Sequence, residues 1–176
     1  ARRIFVVSGS QQGLDLIARL LVAPGDRVLV EAPTYTGAYV VLQEVGARVE
    51  TVPLDDEGID VAALEAALER DPVRFLYLMP CYQNPTGVSL SATRRTQLLD
   101  LAHRRGLAIV EDHYTSQLHY RGAVPRPLLA DDAHGRVIQL GTFSKILFPG
   151  LRLGWMVVPD ELRRPVRRLR WATDLS

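Results

Sequence analysis

The chain has 176 residues, 47% hydrophobic and 23% charged, with a formal net charge of +1. This is enough for one domain with a sizeable core, and no strong field points to nucleic acid or a membrane surface. The single cysteine, Cys81, excludes an internal disulfide and fits a reducing, cytoplasmic setting; no apolar run approaches the roughly 18 residues of a membrane-spanning helix.

The chain opens at ARRIFVVSGS, already in a strand and without an initiating Met, and stops in RLRWATDLS as a helical pattern begins. It reads as a piece of a longer protein. The first predicted strand, IFVVSG (4–9), runs into SGSQQG (8–13) and a helix over 11–22. Exposed N–H groups at a helix start favour an anion, and small residues such as Gly9 and Ser10 allow close approach. Ser10 and Gln11 could add side-chain donors; an ordinary N-cap explains the same residues. After the APGD turn (23–26), RVLVEA (27–32) is the second strand and ends in EAPTYTG (31–37). Tyr35 there opens a helix over 36–45, either covering a flat ligand or packing at a helix start. The EVGA turn (44–47) leads to a third strand, RVETVPL (48–54), and a helix over 60–70 with Asp60 as its N-cap.

The fourth strand, FLYLMP (75–80), runs into PCYQNPTG (80–87), where two prolines bracket Asn84 and Gly87 permits an unusual turn. That rigidity either aims one amide at a ligand or makes a turn whose Asn caps itself. Cys81 reads as a small filler, since no base stands beside it. A helix over 91–105 follows, capped by Ser91, striped by Leu98, Leu99 and Ala102, and ended by Gly106. The fifth strand, LAIVED (107–112), continues through HYTS to residue 116. Asp112 and Tyr114 share one face there; Glu111 and His113 take the other. A carboxylate at the end of an apolar strand is costly unless a cation or proton donor meets it. His113 reads as a packing or surface residue, and His103, His119 and His134 lack metal-ligand spacing. The sixth strand, VIQLGT (137–142), opens GTFSKILFPGLRLG (141–154); GWMVVP (154–159) and a helix over 160–172 close the chain.

Strands and helices alternate, which predicts an α/β fold: three αβα layers around a mainly parallel, seven-stranded sheet. Ligands on such sheets bind beyond the carboxyl ends of the strands. Thr142, Ser144 and Arg152 gather at one of those ends, and hydroxyls with an arginine can hold a phosphate dianion. Of the 21 Lys and Arg residues, Lys145 is the only lysine. A replaceable surface charge would be arginine here, as everywhere else in the chain. A lysine can form an imine with an aldehyde; the guanidinium stays protonated and cannot.

SGSQQG, EAPTY, QNPTG, EDHY and GTFSKILFPGLRLG, in this order and spacing, resemble the class I/II aminotransferases, fold-type-I enzymes that use pyridoxal 5′-phosphate (PLP). The resemblance covers nearly the whole chain and is nearest to α-aminoadipate and kynurenine aminotransferases and to the aminotransferase-like domain of MocR-type regulators. It implies that Lys145 binds the cofactor aldehyde and moves the substrate proton, and that Asp112 pairs with the pyridine nitrogen. Asn84 and Tyr114 would bond the ring's phenolic oxygen and Tyr35 would stack on the ring. Gly9, Ser10, Gln11, Thr142, Ser144 and Arg152 would hold the phosphate. It implies a PLP-binding large domain over residues 1–176, without the N-terminal arm or C-terminal small domain, from a cytoplasmic homodimer. The expected reaction moves an amino group between an α-amino acid and a 2-oxo acid. A PLP- and effector-binding regulator domain is the alternative, its DNA-contacting part outside this chain; a PLP lyase or decarboxylase is a third reading.

Overall fold

The computed structural model describes residues 3–115, 118–123 and 126–173. Ser116, Gln117, Val124 and Pro125, and the first two and last three residues of the chain, lie outside them. The strands are β1 (Ile4–Val7), β2 (Arg27–Ala32), β3 (Arg48–Asp55), β4 (Gly58–Ile59), β5 (Phe75–Leu78), β6 (Ala108–Asp112), β7 (Val137–Thr142) and β8 (Gly154–Val157). The helices are α1 (Ser10–Leu21), α2 (Thr36–Glu44), α3 (Val61–Leu68), α4 (Ala92–Arg105) and α5 (Arg163–Thr173).

Local chemistry sets the helix ends. The Asp60 carboxylate accepts the N–H groups of Ala62 and Ala63 at 2.9 and 3.0 Å and starts α3. The Ser91 hydroxyl accepts from Arg94 at 3.2 Å and starts α4, which stops at Gly106 in the left-handed region, φ 66.

The strands form one sheet in the order β1-β8-β7-β6-β5-β2-β3-β4. Its centre, from β7 through β6, β5 and β2 to β3, is parallel. The expected seven-stranded, mainly parallel sheet is thus corrected to an eight-stranded mixed one. The connection from β7 to β8 carries only a 3-10 turn at Pro149–Leu151. A parallel return needs a longer crossover, so β8 comes back antiparallel to β7 and also pairs antiparallel with β1. The two-residue β4 folds back on β3 in a hairpin, too short for any alternating pattern to reveal.

Alternating side chains feed two cores, one on each face of the sheet. Val28, Val30, Phe75, Tyr77 and Val110 pack with Leu14 and Ile17 of α1, Leu42 of α2 and Val166 of α5. Leu29, Leu76, Leu78 and Ile109 pack with Leu64 of α3 and Leu98 and Leu101 of α4. These are the expected three layers. Among the described residues no helix is long and apolar enough to cross a membrane.

Arg27 opens β2 yet is only 3% exposed. Its guanidinium donates to the Ala67 and Asp71 carbonyls at 3.0 and 2.9 Å and to Glu50 at 2.7 Å, tying the end of α3 to the sheet. Arg27→Met should cost about 2–3 kcal/mol, because two carbonyls lose their donor and half-buried Glu50 loses its nearest cation. Urea denaturation measures this; an unchanged midpoint would contradict it.

Candidate active site

Beyond the carboxyl ends of the parallel strands lies a cavity of about 220 Å³. All eleven side chains or backbones singled out in the sequence line it: Gly9, Ser10, Gln11, Tyr35, Asn84, Asp112, Tyr114, Thr142, Ser144, Lys145 and Arg152. Met79 and Pro149 line it too and carried no signal of their own.

One end of the cavity is built to meet an anion. Gly9, at φ 87, caps α1, and the first-turn N–H groups of a helix have no intrahelical acceptor. The side chain of Gln12 accepts the Ser8 N–H at 2.7 Å and steadies this turn. Arg152, at φ 46, extends Nη2 to the Ser8 carbonyl at 3.1 Å and Nη1 to the Pro149 carbonyl at 3.3 Å. Thr142 Oγ1 accepts the Ser144 N–H at 3.1 Å and lies 3.0 Å from Ser144 Oγ. A Cβ on Gly154 would come within 2.5 Å of the Gly141 carbonyl oxygen and 2.7 Å of Gly9 Cα. Glycine there lets the ends of β1, β7 and β8 close together and brings Gly9, Thr142 and Arg152 to one place.

The Gln11 amide donates one N–H to the Gly37 carbonyl at 3.0 Å, which ties α1 to α2; its second amide N–H and its backbone N–H are left to meet an anion. Tyr35 precedes α2 and lays its ring against Gly37.

The other end carries Asp112, the last residue of β6 and 5% exposed. Its Oδ2 accepts from the Tyr77 hydroxyl at 3.0 Å, while Oδ1 is buried without a partner. Burial pushes this carboxyl up to about 7; the Tyr77 and Ser10 hydroxyls offset part of the effect. A cation or N–H donor facing Oδ1 would reverse the shift and be held strongly. Tyr77 was missed in the sequence, although a tyrosine inside an apolar strand signals a hydroxyl seeking a buried partner. Tyr114 shares the Asp112 face and donates to the Tyr82 carbonyl at 3.4 Å. Lys145 sits exposed in the turn after β7, and among the described residues no hydrogen bond or ion pair ties up its amine.

Glu111 and His113 point to the opposite face, as the alternation requires. Glu111 accepts the Leu128 and Leu129 N–H groups at 2.7 and 3.2 Å and pins a 3-10 turn. His113 is buried, which, with Arg95 nearby, pushes it down to about 4. Cys81 is buried and free, and burial first, then Glu111, pushes its thiol up to about 11, which suits a filler rather than a nucleophile.

An anion cradle, a buried carboxylate with one oxygen unpartnered and a free amine in one cavity at the sheet's carboxyl edge define an α/β small-molecule site. The chain belongs to the class I and II aminotransferase family, whose pattern matches residues 1–172. It is similar to aromatic-amino-acid aminotransferase 1 of Thermococcus litoralis, 43% identical over 177 residues, covering 98% of this chain and 42% of the relative. It is also similar to the HTH-type transcriptional regulator TauR of Rhodobacter capsulatus, 38% identical over 167 residues, covering 95% of this chain and 34% of that protein. Among solved structures, the α-aminoadipate aminotransferase LysN of Thermus thermophilus, complexed with N-(5′-phosphopyridoxyl)-L-leucine, matches with a TM-score of 0.91 at 39% identity. That match covers 97% of this chain and 45% of LysN. The chain therefore spans less than half the length of these relatives.

Proposed function

We propose that residues 1–176 are the cofactor-binding large domain of a PLP-dependent aminotransferase, working in a cytoplasmic homodimer on an α-amino acid and a 2-oxo acid. The observation that carries this reading is the unpartnered Oδ1 of buried Asp112, in one cavity with the anion cradle and Lys145. The residues fit PLP: a dianion for the cradle, a ring N–H for Asp112 and an aldehyde for Lys145. Bound there, PLP supplies an electron sink for the charge left on the substrate Cα.

The chain's own residues do the rest. Gly9, Ser10 and Gln11 offer N–H groups to the phosphate, and Thr142, Ser144 and Arg152 add hydroxyls and a guanidinium. This anchor is separate from Lys145, so these residues would hold the cofactor whether or not the amine is bonded to it. Tyr35 would cover one ring face, Asn84 would donate to the ring's phenolic oxygen, and the Tyr114 hydroxyl would do so on turning from its long 3.4 Å bond to the Tyr82 carbonyl. Asp112 would keep the ring nitrogen protonated. With the cofactor bound, the freed Lys145 amine would be the group that carries a proton to and from the substrate Cα.

The cradle is tested by Arg152→Ala in the full-length protein. Loss of a charge-assisted phosphate contact should weaken PLP binding about 10- to 100-fold and leave pyridoxal, which lacks the phosphate, unaffected. Equilibrium dialysis with both ligands checks this; an equal loss for both would remove Arg152 from the phosphate site.

The similarity to TauR favours a second reading, in which the same cavity binds PLP and an effector amine within a transcriptional regulator. About 70–100 residues with a basic helix-turn-helix pattern upstream of Ala1 in the parent protein would favour it. Steady turnover of an amino acid with a 2-oxo acid would favour the enzyme.

A further inference from the structure

Two loops form neighbouring walls of the cavity. One leaves β2 and carries Tyr35; the other leaves β5 and carries Asn84. In the sheet, β2 and β5 register Leu29 with Leu76 and Val30 with Tyr77, and their pairing ends there. Side chains take over beyond that point. Glu31 Oε2 accepts the Met79 N–H at 2.9 Å, where a strand carbonyl would otherwise be needed. Gln83 Nε2 donates to the Pro33 carbonyl at 2.7 Å, across the gap between the loops. Its Oε1 accepts from the Thr86 N–H at 3.0 Å and the Thr86 hydroxyl at 2.7 Å, within the Asn84 loop.

Glu31 and Gln83 are each 2% exposed. Buried polar side chains are costly unless hydrogen-bonded, and a satisfied network holds its members in one arrangement. The demands on Gln83 are opposite at its two ends: a donor toward Pro33 and an acceptor toward Thr86. A primary amide meets both; glutamate cannot donate and methionine can do neither. The residue before it, Tyr82, is in the left-handed region at φ 50, and its carbonyl accepts the Tyr114 hydroxyl. The residue after it is Asn84. Gln83 therefore sits between two groups of the cavity wall and is bonded across to the strand end that precedes Tyr35.

We propose that Gln83, seated beside Glu31, is a positioning residue that ties the Tyr35 loop to the Asn84 loop and fixes the Asn84 amide at the cofactor's ring oxygen. This rests on the reading of the cavity as a PLP site. Gln83 lies outside the residues that line the cavity and acts through its neighbours.

The test is a pH titration of the visible absorbance of the full-length, cofactor-loaded protein. Asn84→Ala should raise the midpoint, because the amide favours the ionised ring oxygen. Gln83→Met should raise it in the same direction by about 1 unit, the size expected for one lost hydrogen bond to a charged group. In the Asn84→Ala background, Gln83→Met should add almost nothing, since both changes remove one contact. A wild-type midpoint in Gln83→Met, with Asn84→Ala shifted, would overturn the positioning role; so would full additivity, which marks a merely structural one. An unshifted Asn84→Ala would sink the assignment of Asn84 to the cofactor, and the inference with it. Should the Met variant not fold, Gln83→Glu keeps the shape and the Thr86 contacts but cannot donate to Pro33, and the same comparisons decide.

Discussion

Lys145→Ala in the full-length protein should lower turnover of amino acid with 2-oxo acid by at least about 10³-fold, the loss expected when one group both holds the reacting carbon and transfers the proton. Lys145→Arg should be no better. Arginine keeps the charge, so any role limited to charge would be rescued; its guanidinium neither attacks the aldehyde nor gives up a proton at working pH. Lys145→Ala should still bind PLP, because the cradle at Gly9, Thr142, Ser144 and Arg152 is a separate set of contacts. Steady-state rates with equilibrium dialysis separate these points. Activity in Lys145→Arg near wild type would contradict the role given to the amine.

Asp112→Asn should lower turnover on the order of 10²–10³-fold, as removal of one preorganised electrostatic group does elsewhere. The same substitution should act oppositely on the stability of the cofactor-free protein. The folded carboxyl is pushed up from 3.8 to about 7 by burial. A carboxyl raised in the folded state contributes stability that is fully present below its unfolded value and is lost as pH rises through its folded value. Asparagine does not titrate. Cofactor-free Asp112→Asn should therefore gain on the wild type as pH rises from about 4 to about 7, by no more than about 4 kcal/mol. Glu31, pushed up to about 8, titrates in both proteins and cancels in the comparison; Glu111, pushed up to about 7 chiefly by its own burial and least by Asp112, titrates slightly lower in the variant, a small change beside that of Asp112 itself. Thermal melts at pH 5 and pH 8 read the difference, and a pH-independent gap would contradict it. Saturating PLP should reverse the sign, since a protonated ring nitrogen favours the ionised wild-type carboxylate. A site that is strained when empty and relieved when filled trades stability for function.

Much of this was legible in the chain. Apolar runs separated by helical stretches marked the central strands, and Asp60, Ser91 and Gly106 stood where the helix ends proved to be. The cavity residues were readable because the parallel architecture sends strand ends to one edge, and unusual residues at those ends stood out against apolar runs. Lys145 was conspicuous for a compositional reason, as the one lysine among many arginines. What escaped has physical causes. β4 is a hairpin return of two residues, and the direction of β8 depends on a connection whose path no local propensity describes. The Gln11 amide also bonds to Gly37, 26 residues away, a link no local pattern shows. Tyr77, Glu31 and Gln83 act through partners 35, 48 and 50 residues distant, which only the folded sheet brings within reach.

The central claim is that the cavity holds PLP with its aldehyde carbon on Lys145. Borohydride reduction of the full-length protein with PLP, followed by peptide mass mapping, tests it most directly. The account predicts a phosphopyridoxyl mass on the peptide containing Lys145, the one lysine of this chain, and none in Lys145→Ala. A label on any other amine of the protein with Lys145 unmodified, or no label at all, would contradict it.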